Sequence, residues 1–205
     1  MILKFYPTKD ATIYEQYPHK NTGLDAVLEI NKVVADDTHT YNSRALIDFD
    51  YTAISQSIAS LGHDPKLFSY GLKLYIAEAT EVPSEYALYC YPLSSSWNMG
   101  VGRYGNYPET TVGVSWTYKT TTADLSSAWQ TGSFGASATA SWVTTPGGGT
   151  WYTGSVASQS FTYTTSDVDM DVTSIIRQVQ SGSIDFKGFI IQKSLTDESS
   201  PLTFG

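Results

Sequence analysis

Three aspartates alternate with other residues shortly before a helical pattern in the last quarter of the sequence. Asp167, Asp169 and Asp171 lie in the run Asp167-Val-Asp-Met-Asp-Val-Thr. Alternate side chains of a strand point to the same face, so three carboxylates would line up there and could bind a hard cation such as calcium. The alternative is structural, since Asp171 or Thr173 can accept a backbone N–H hydrogen bond at the start of the following helix. We favour the structural interpretation.

The other titratable residues lack the spacing of an active site. Asp48 and Asp50 precede a second helical pattern and again favour helix capping over an acid–base pair. Ser115 lies outside a Gly-x-Ser-x-Gly elbow, and no glycine-rich segment has the spacing of a phosphate-binding loop. The histidines stand in polar turn contexts without metal-ligand spacing: His19, His39 and His63. We therefore expect that the protein is not an enzyme; a glycan-cleaving site would need two carboxylates facing each other across a cleft.

Aromatic side chains are the remaining candidates for function. The sequence contains 15 Tyr, 8 Phe and 5 Trp, and flat rings can stack on sugars or anchor protein interfaces. Alternation predicts that Trp116 lies in the core. Four residues close to Gly or Pro are predicted to be exposed as contact or glycan candidates: Tyr104, Tyr107, Trp151 and Tyr152. Interface contact, ordinary packing and glycan stacking all remain open for them.

Composition and charge limit the partners. The formal net charge of -8 would repel a phosphate backbone, so we expect no nucleic acid partner. No apolar run approaches the roughly 20 residues of a membrane span, and the sequence after Met1 has no secretion signal. We expect no membrane partner and synthesis in a cytoplasm. Cys90 is the one cysteine, which excludes an internal disulfide and favours a packing role.

The hydrophobic pattern predicts many short strands and two brief helices. In Arg44-Ala-Leu-Ile-Asp-Phe-Asp, Ala45, Ile47 and Phe49 share one face of a strand. Helical spacing predicts helices within 51–61 and 174–182, each ending at a glycine. Strands are predicted at 3–5 and 11–14, interrupted by Pro7, and at 26–30, 113–118, 136–142, 158–164 and 188–192, and a hairpin is predicted from 68–79 and 85–93.

We therefore predict an all-β fold: one antiparallel β-sandwich of jelly-roll type over residues 1–205, with one or two short helices and long loops. The segment of about 94–165 is rich in Ser, Thr and Gly and is read as a loop-rich elaboration of that sandwich. Within it, Pro146-Gly-Gly-Gly is predicted to be the most flexible point.

Taken in order, a series of segments resembles the DNRLRE-type jelly-roll domain, which is related to carbohydrate-binding modules. The segments are Lys9-Asp-Ala-Thr-Ile, Asn21-Thr-Gly, Leu28-Glu-Ile, Ser43-Arg-Ala-Leu-Ile-Asp-Phe-Asp, Leu72-Lys-Leu-Tyr, Trp97, Gly113-Val-Ser-Trp, Met170-Asp-Val-Thr-Ser-Ile-Ile and Lys187-Gly-Phe-Ile-Ile. The Asp-Asn-Arg-Leu-Arg-Glu motif that names the family is absent from the sequence, so the resemblance is one of architecture.

The resemblance implies a bacteriophage virion structural protein, a component of the tail, neck or head fibre. Such a protein would reside in the virion, form a homo-oligomer and contact other virion proteins through its loops. The alternative is a carbohydrate-binding or receptor-binding module that recognises host surface glycan. Domains of this family usually have a further pair of strands after the one matching 188–191, so we expect truncation at the C-terminus.

Overall fold

The structure, a computed structural model, describes residues 1–36, 39–79, 86–129, 133–134, 138–140, 147–161 and 167–199. It confirms an all-β sandwich of antiparallel sheets with few short helices. In chain order the elements are β1 (Lys9–Tyr14), β2 (Lys32–Asp36), β3 (His39–Asp48), α1 (Tyr51–Ala59), β4 (Gly71–Tyr75), β5 (Tyr86–Pro92), β6 (Ser133–Phe134), β7 (Ala138–Ala140), β8 (Thr150–Trp151), β9 (Ala157–Phe161), β10 (Asp167–Asp171), α2 (Thr173–Gln180), β11 (Phe189–Lys193) and α3 (Leu195–Ser199).

The main sheet has the strand order β1-β3-β11-β5-β9, and β2 pairs with the beginning of β3. Its central strands are apolar on both faces, which is typical of strands covered on both sides. On the first face, Ala45 and Ile47 of β3 pack with Phe189 and Ile191 of β11. The ribbon formed by β4 and β10 and the helix α2 contribute buried side chains to this core.

The second face of the main sheet is covered by loops and by β8, which forms a small three-stranded sheet with β7 and β6. Leu46 of β3 and Ile190 of β11 point to this side, where they meet tryptophans from the loop-rich segment. The buried tryptophans of this core are Trp97, Trp116, Trp129 and Trp151. Large flat rings remove much apolar area from water, so an irregular backbone can still complete a core.

Both predicted helices are confirmed. Asp50 accepts a hydrogen bond from the backbone N–H of Ala53 at the start of α1, at 3.0 Å. The α2 helix buries Ile175, Ile176 and Val179 as an apolar stripe. A third short helix, α3, lacks such a stripe and was not predicted. No helix among the described residues is long and apolar enough to cross a bilayer.

Several predicted strands are wrong. The segments 68–79 and 85–93 do not pair as a hairpin, because β4 pairs with β10 while β5 pairs with β11 and β9. Residues 3–5, 26–30 and 113–118 contain no strand, although Leu28, Val114 and Trp116 still pack into the two cores. Burial, rather than strand pairing, explains the pattern in 26–30 and 113–118, whereas Leu3 and Phe5 are 40% and 37% exposed and their alternation has no counterpart in the core. The predicted strands at 136–142 and 158–164 lie partly outside the described residues, and their described parts contain β7 and β9.

Candidate functional site

The structure separates the four aromatic candidates. Tyr104 is 43% exposed and Tyr107 is 98% exposed, as expected. Tyr152 is half-buried. Trp151 is only 1% exposed, so the expectation that it lies on the surface is wrong.

The glycine run explains the burial of Trp151. At Gly149, with φ +97°, an added Cβ would lie 2.8 Å from Cδ1 of Ile190. At Gly148, with φ +79°, it would lie 2.5 Å from Nη1 of Arg44. These close approaches require glycine. The backbone at 147–149 is therefore packed against the main sheet, which brings Trp151 into the second core.

Tyr104 forms one side of a small groove at the far end of β1 and β3. We call it the tyrosine groove. It has a volume of about 50 Å³ and is lined by Tyr14, Gln16, Glu29, Asn31, Val33, Tyr41, Asn42 and Tyr104. Tyr14 ends β1, Val33 lies on β2, Tyr41 and Asn42 lie on β3, and the other residues come from loops. The groove thus combines three phenol rings with carboxamide and carboxylate groups.

The rings beside the groove are held in a fixed arrangement. The centroid of Tyr104 lies 5.1 Å from that of Tyr14 and 5.6 Å from that of Tyr17, with Tyr17 edge-on at 82°. Nζ of Lys20 lies 4.2 Å from the Tyr17 centroid and 4.6 Å from the Tyr104 centroid. Lys20 is only 8% exposed, so these cation–π contacts are well shielded from water.

Polar contacts attach the loop that carries Tyr104 and Tyr107. Nζ of Lys20 donates to the carbonyl oxygen of Tyr104 at 3.3 Å and lies 3.4 Å from Oε1 of Glu109. The backbone N–H of Tyr104 donates to both carboxylate oxygens of Asp25, each at 3.1 Å. The loop is therefore fixed at both its backbone and its side chains.

Asn21 is the centre around which residues 98–114 fold. Its Nδ2 donates to the carbonyl oxygens of Met99 and Val114 at 2.7 and 2.8 Å, and its Oδ1 accepts from the N–H of Gly102 at 2.7 Å. An added Cβ at Gly100 or Gly113 would lie 2.4 Å from the Asn21 side chain. The loop can wrap this closely around a buried amide only because those positions are glycine.

Tyr104 and Tyr14 remain neutral over a wide pH range. A hydrogen bond to Tyr17, together with burial, raises the pKa of Tyr104 to about 12. Burial and the charge of Glu29 raise the pKa of Tyr14. Both phenols therefore keep their O–H donors at neutral pH, when they can exchange hydrogen bonds with hydroxyl groups of a ligand.

One polar atom beside the groove lacks a partner. Nδ2 of Asn42 donates to Oε2 of Glu15 at 3.0 Å, but Oδ1 of Asn42 is buried and has no hydrogen-bond partner. A buried carbonyl without a donor is costly, so this oxygen is a local cost to stability and is not accessible to a ligand in the groove. The rings for stacking and the planar amide and carboxylate groups of the lining suit a small ring-shaped ligand rich in hydroxyl groups.

The three aspartates of β10 lie on one face of the strand but have separate partners. Oδ1 of Asp167 accepts from the N–H of Ile76 at 3.2 Å, and Asp169 lies 3.9 Å from Nζ of Lys73. Oδ1 of Asp171 accepts from the N–H of Thr173, the first residue of α2, at 2.9 Å. The described residues contain no group of three acidic, His or Cys side chains that could hold a metal ion. Asp171 therefore supports the helix, as the structural interpretation predicted, and the calcium interpretation gains no support.

Sequence reasoning missed most of the tyrosine groove. It identified Tyr104 but none of the other lining residues, and it gave no site role to Tyr17, Lys20 or Asn21, which hold the Tyr104 loop. The available signal was the density of Tyr and amide side chains in Tyr14-Glu-Gln-Tyr and Lys20-Asn-Thr-Gly. Without the fold, nothing linked these segments to residue 104.

Comparison with known families gives one match. The sequence model of carbohydrate-binding module family 96 matches residues 1–133. This supports the carbohydrate-binding part of the resemblance, while the DNRLRE type and the bacteriophage setting stay predictions. No curated protein and no solved structure matches the chain. Since the match covers more than half of the 205 residues, the chain belongs to carbohydrate-binding module family 96.

Proposed function

We propose that this protein is a carbohydrate-binding module that holds a sugar unit of a glycan in the tyrosine groove. The proposal rests on where the groove residues lie in the sequence. Every residue lining the groove, from Tyr14 to Tyr104, lies inside the segment 1–133 that matches the carbohydrate-binding family. The residues that fix its shape, Lys20 and Asn21, lie there as well.

The size of the groove indicates how it would bind. A volume of about 50 Å³ is far below the roughly 300–1,000 Å³ of an enclosing ligand pocket. It can take the hydroxyl-bearing edge of one sugar ring while the remainder of the glycan lies on the surface. The exposed ring of Tyr104 would stack on the apolar face of that sugar, and such contacts contribute about 0.5–1.5 kcal/mol each.

The polar side chains would select the orientation of the sugar. Asn31 is half-buried, and its Nδ2 already donates to Oε2 of Glu29 at 3.3 Å. Oδ1 of Asn31 already accepts from Oγ of Ser43 at 2.9 Å, so the carboxylate of Glu29 would be the main acceptor for sugar hydroxyl groups. Planar amide and carboxylate groups fix hydrogen-bond directions, and directional bonds provide specificity.

Glycan-array screening followed by affinity electrophoresis tests the proposal. Wild-type protein should be retarded by at least one polysaccharide, and Tyr104→Ala should weaken that binding about tenfold, as expected for about 1.4 kcal/mol. Tyr75→Ala is the matched control because Tyr75 is 77% exposed on β4 and does not line the groove. Equal retardation of the two variants, or no glycan binding by the wild type, would contradict the assignment.

A virion structural role and assembly into a homo-oligomer with other virion proteins stay predictions. The family match favours glycan recognition, which is also compatible with a receptor-binding part of a particle. Absence of catalysis is likewise a proposal, supported by the non-catalytic nature of binding modules as a class. Antibody labelling of particles from infected cells would test the virion role, and unlabelled particles would count against it.

A further inference from the structure

A second and larger groove lies at the opposite end of the β1–β3 pair. Its volume is about 540 Å³, within the range of small-molecule sites. Lys9 and Asp48, which pair across β1 and β3, both line it. At the other end of the same strand pair, Tyr14 pairs with Ser43 beside the tyrosine groove. Five residue steps separate Lys9 from Tyr14, which is about 17 Å along a strand, and because this number is odd the two side chains point to opposite faces.

Aromatic rings form the apolar part of this second groove. The Tyr51 and Phe186 centroids lie 6.0 Å apart, and Phe186 meets the buried Phe189 edge-on at 5.0 Å. Phe49 also packs against Phe189, at 6.4 Å. Phe49, Tyr51 and Phe186 are half-buried and line the groove, so each is anchored in the core while part of it faces solvent.

Two ion pairs form the polar part. Nζ of Lys9 lies 2.9 Å from Oδ2 of Asp48, and Nζ of Lys187 lies 2.9 Å from Oδ1 of Asp185. Lys9 is further held 4.8 Å from the Trp97 ring centroid and donates to the Trp97 carbonyl oxygen at 3.2 Å. The lysine charges are matched by adjacent carboxylates, so the groove offers neighbouring donors and acceptors without a strong positive field.

This pattern favours an uncharged ligand with one apolar face and several hydroxyl groups. An anionic ligand would meet carboxylates that already occupy the lysines, and Asp50 adds a third carboxylate to the lining. A purely apolar ligand would leave the ion pairs poorly solvated, which is unfavourable. A neutral pyranose can stack on the rings and exchange hydrogen bonds with both members of each pair.

We propose that the second groove is an additional glycan site that takes neutral sugar units. The inference rests on the proposed function and extends it, because Phe186 and Lys187 lie beyond the family match at residue 133.

The test maps backbone amide shifts by NMR while the full chain is titrated with neutral cello-, malto-, xylo- and manno-oligosaccharides. Saturable shifts are expected around Lys9, Ser96 and Lys187 as well as around Asn31 and Tyr104. Ser96→Trp fills the second groove from an exposed position and should remove the first set only. Ser55→Trp is the matched control, since Ser55 is exposed on α1 and does not line the groove.

The outcomes separate the two proposals. Shifts confined to the tyrosine groove, or shifts around Lys187 that persist in Ser96→Trp, overturn the second site and leave the first intact. Shifts confined to the second groove support it and overturn the assignment of the tyrosine groove. Shifts at neither groove with any of the four neutral glycan series overturn the second site, whereas the glycan array tests the proposed function independently.

Discussion

Replacing Glu198 by alanine should strongly destabilise the protein, because Glu198 is the anionic partner of a buried arginine. The Arg44 side chain is 0% exposed and that of Glu198 is 4% exposed. Nε of Arg44 donates to Oε1 of Glu198 at 3.0 Å, and the Nη2 group donates to Oε2. The guanidinium lies 4.8 Å from the Trp116 ring centroid and 5.3 Å from that of Trp151.

The size of the stability loss follows from the contacts that Arg44 would keep in the variant. In Glu198→Ala, Arg44 retains the carbonyl oxygen of Gly148 and the two ring faces but loses its counter-charge. Removing one partner of a buried ion pair costs about 3–5 kcal/mol. This is a large fraction of the roughly 5–15 kcal/mol that stabilises a domain. For a chain of this size, it corresponds to a fall in Tm of about 6–20 °C.

Unfolding in guanidinium chloride, followed by tryptophan fluorescence, measures the loss of stability. The signal reports on this region because Trp116 and Trp151 lie against the Arg44 side chain. Thr196→Ala is the control, because Thr196 is exposed on the same helix. The double variant Arg44→Met with Glu198→Leu should recover most of the lost stability, since apolar replacement of a whole buried pair is often neutral or stabilising. If the free energies of unfolding of Glu198→Ala and Thr196→Ala differ by less than about 1 kcal/mol, Arg44 must be solvated in the variant and is not a buried, uncompensated charge.

Three further outcomes are expected. Asn21→Ala should lower the free energy of unfolding by about 2–4 kcal/mol, since it leaves the Met99 and Val114 carbonyls without their donor. It should also weaken glycan binding by releasing the Tyr104 loop. Urea unfolding measures the first effect and affinity electrophoresis the second, and unchanged stability would contradict the role of Asn21. Hydrogen bonds from the hydroxyl and N–H of Thr173 lower the pKa of Asp171, so its contribution is present above about pH 4 and is lost as pH falls through the lowered pKa. Asp171→Ala should cost about 1 kcal/mol in urea unfolding at pH 7, and this cost should shrink as the pH is lowered below 4; a cost that stays constant down to the acid limit of folding would refute this. Because the pKa of Tyr104 is raised to about 12, its ionisation should not alter glycan binding between pH 6 and 9. Calorimetry should therefore give the same pH profile of affinity for the wild type and for Tyr104→Phe. A fall in wild-type affinity towards pH 9 that the Phe variant lacks would contradict the raised pKa.

The sequence predicts the parts of the fold that depend on local chemistry. The alternation in β3 correctly places Ala45 and Ile47 opposite Leu46, and helical spacing with a following glycine locates α1 and α2. It does not predict pairing partners. The segments leading to β4 and β5 are neighbours in the sequence, yet their strands join different sheets, because pairing is decided by which apolar faces meet in the folded chain.

The candidate site was only partly predictable for the same reason. Exposure of Tyr104 and Tyr107 follows from adjacent Gly and Pro, but that rule fails for Trp151. The glycines before Trp151 allow close packing instead of a mobile loop, and a sequence cannot distinguish these two uses of glycine. Lys20 and Asn21 act on residues about 80 positions away, so their role is visible only once the loops are brought together.

The family match is shorter than the unit that must fold. It ends at residue 133, whereas β11 is inserted between β3 and β5 and pairs with both. Without β11 the main sheet would be split, and Leu46 and Cys90 would lose their neighbours Ile190 and Ile191. The guanidinium of Arg44, inside the matched segment, is likewise neutralised by Glu198 outside it. We therefore expect residues 1–133 expressed alone to remain unfolded, because the main sheet is incomplete without β11. The tyrosine groove would then not form, since its strands belong to that sheet.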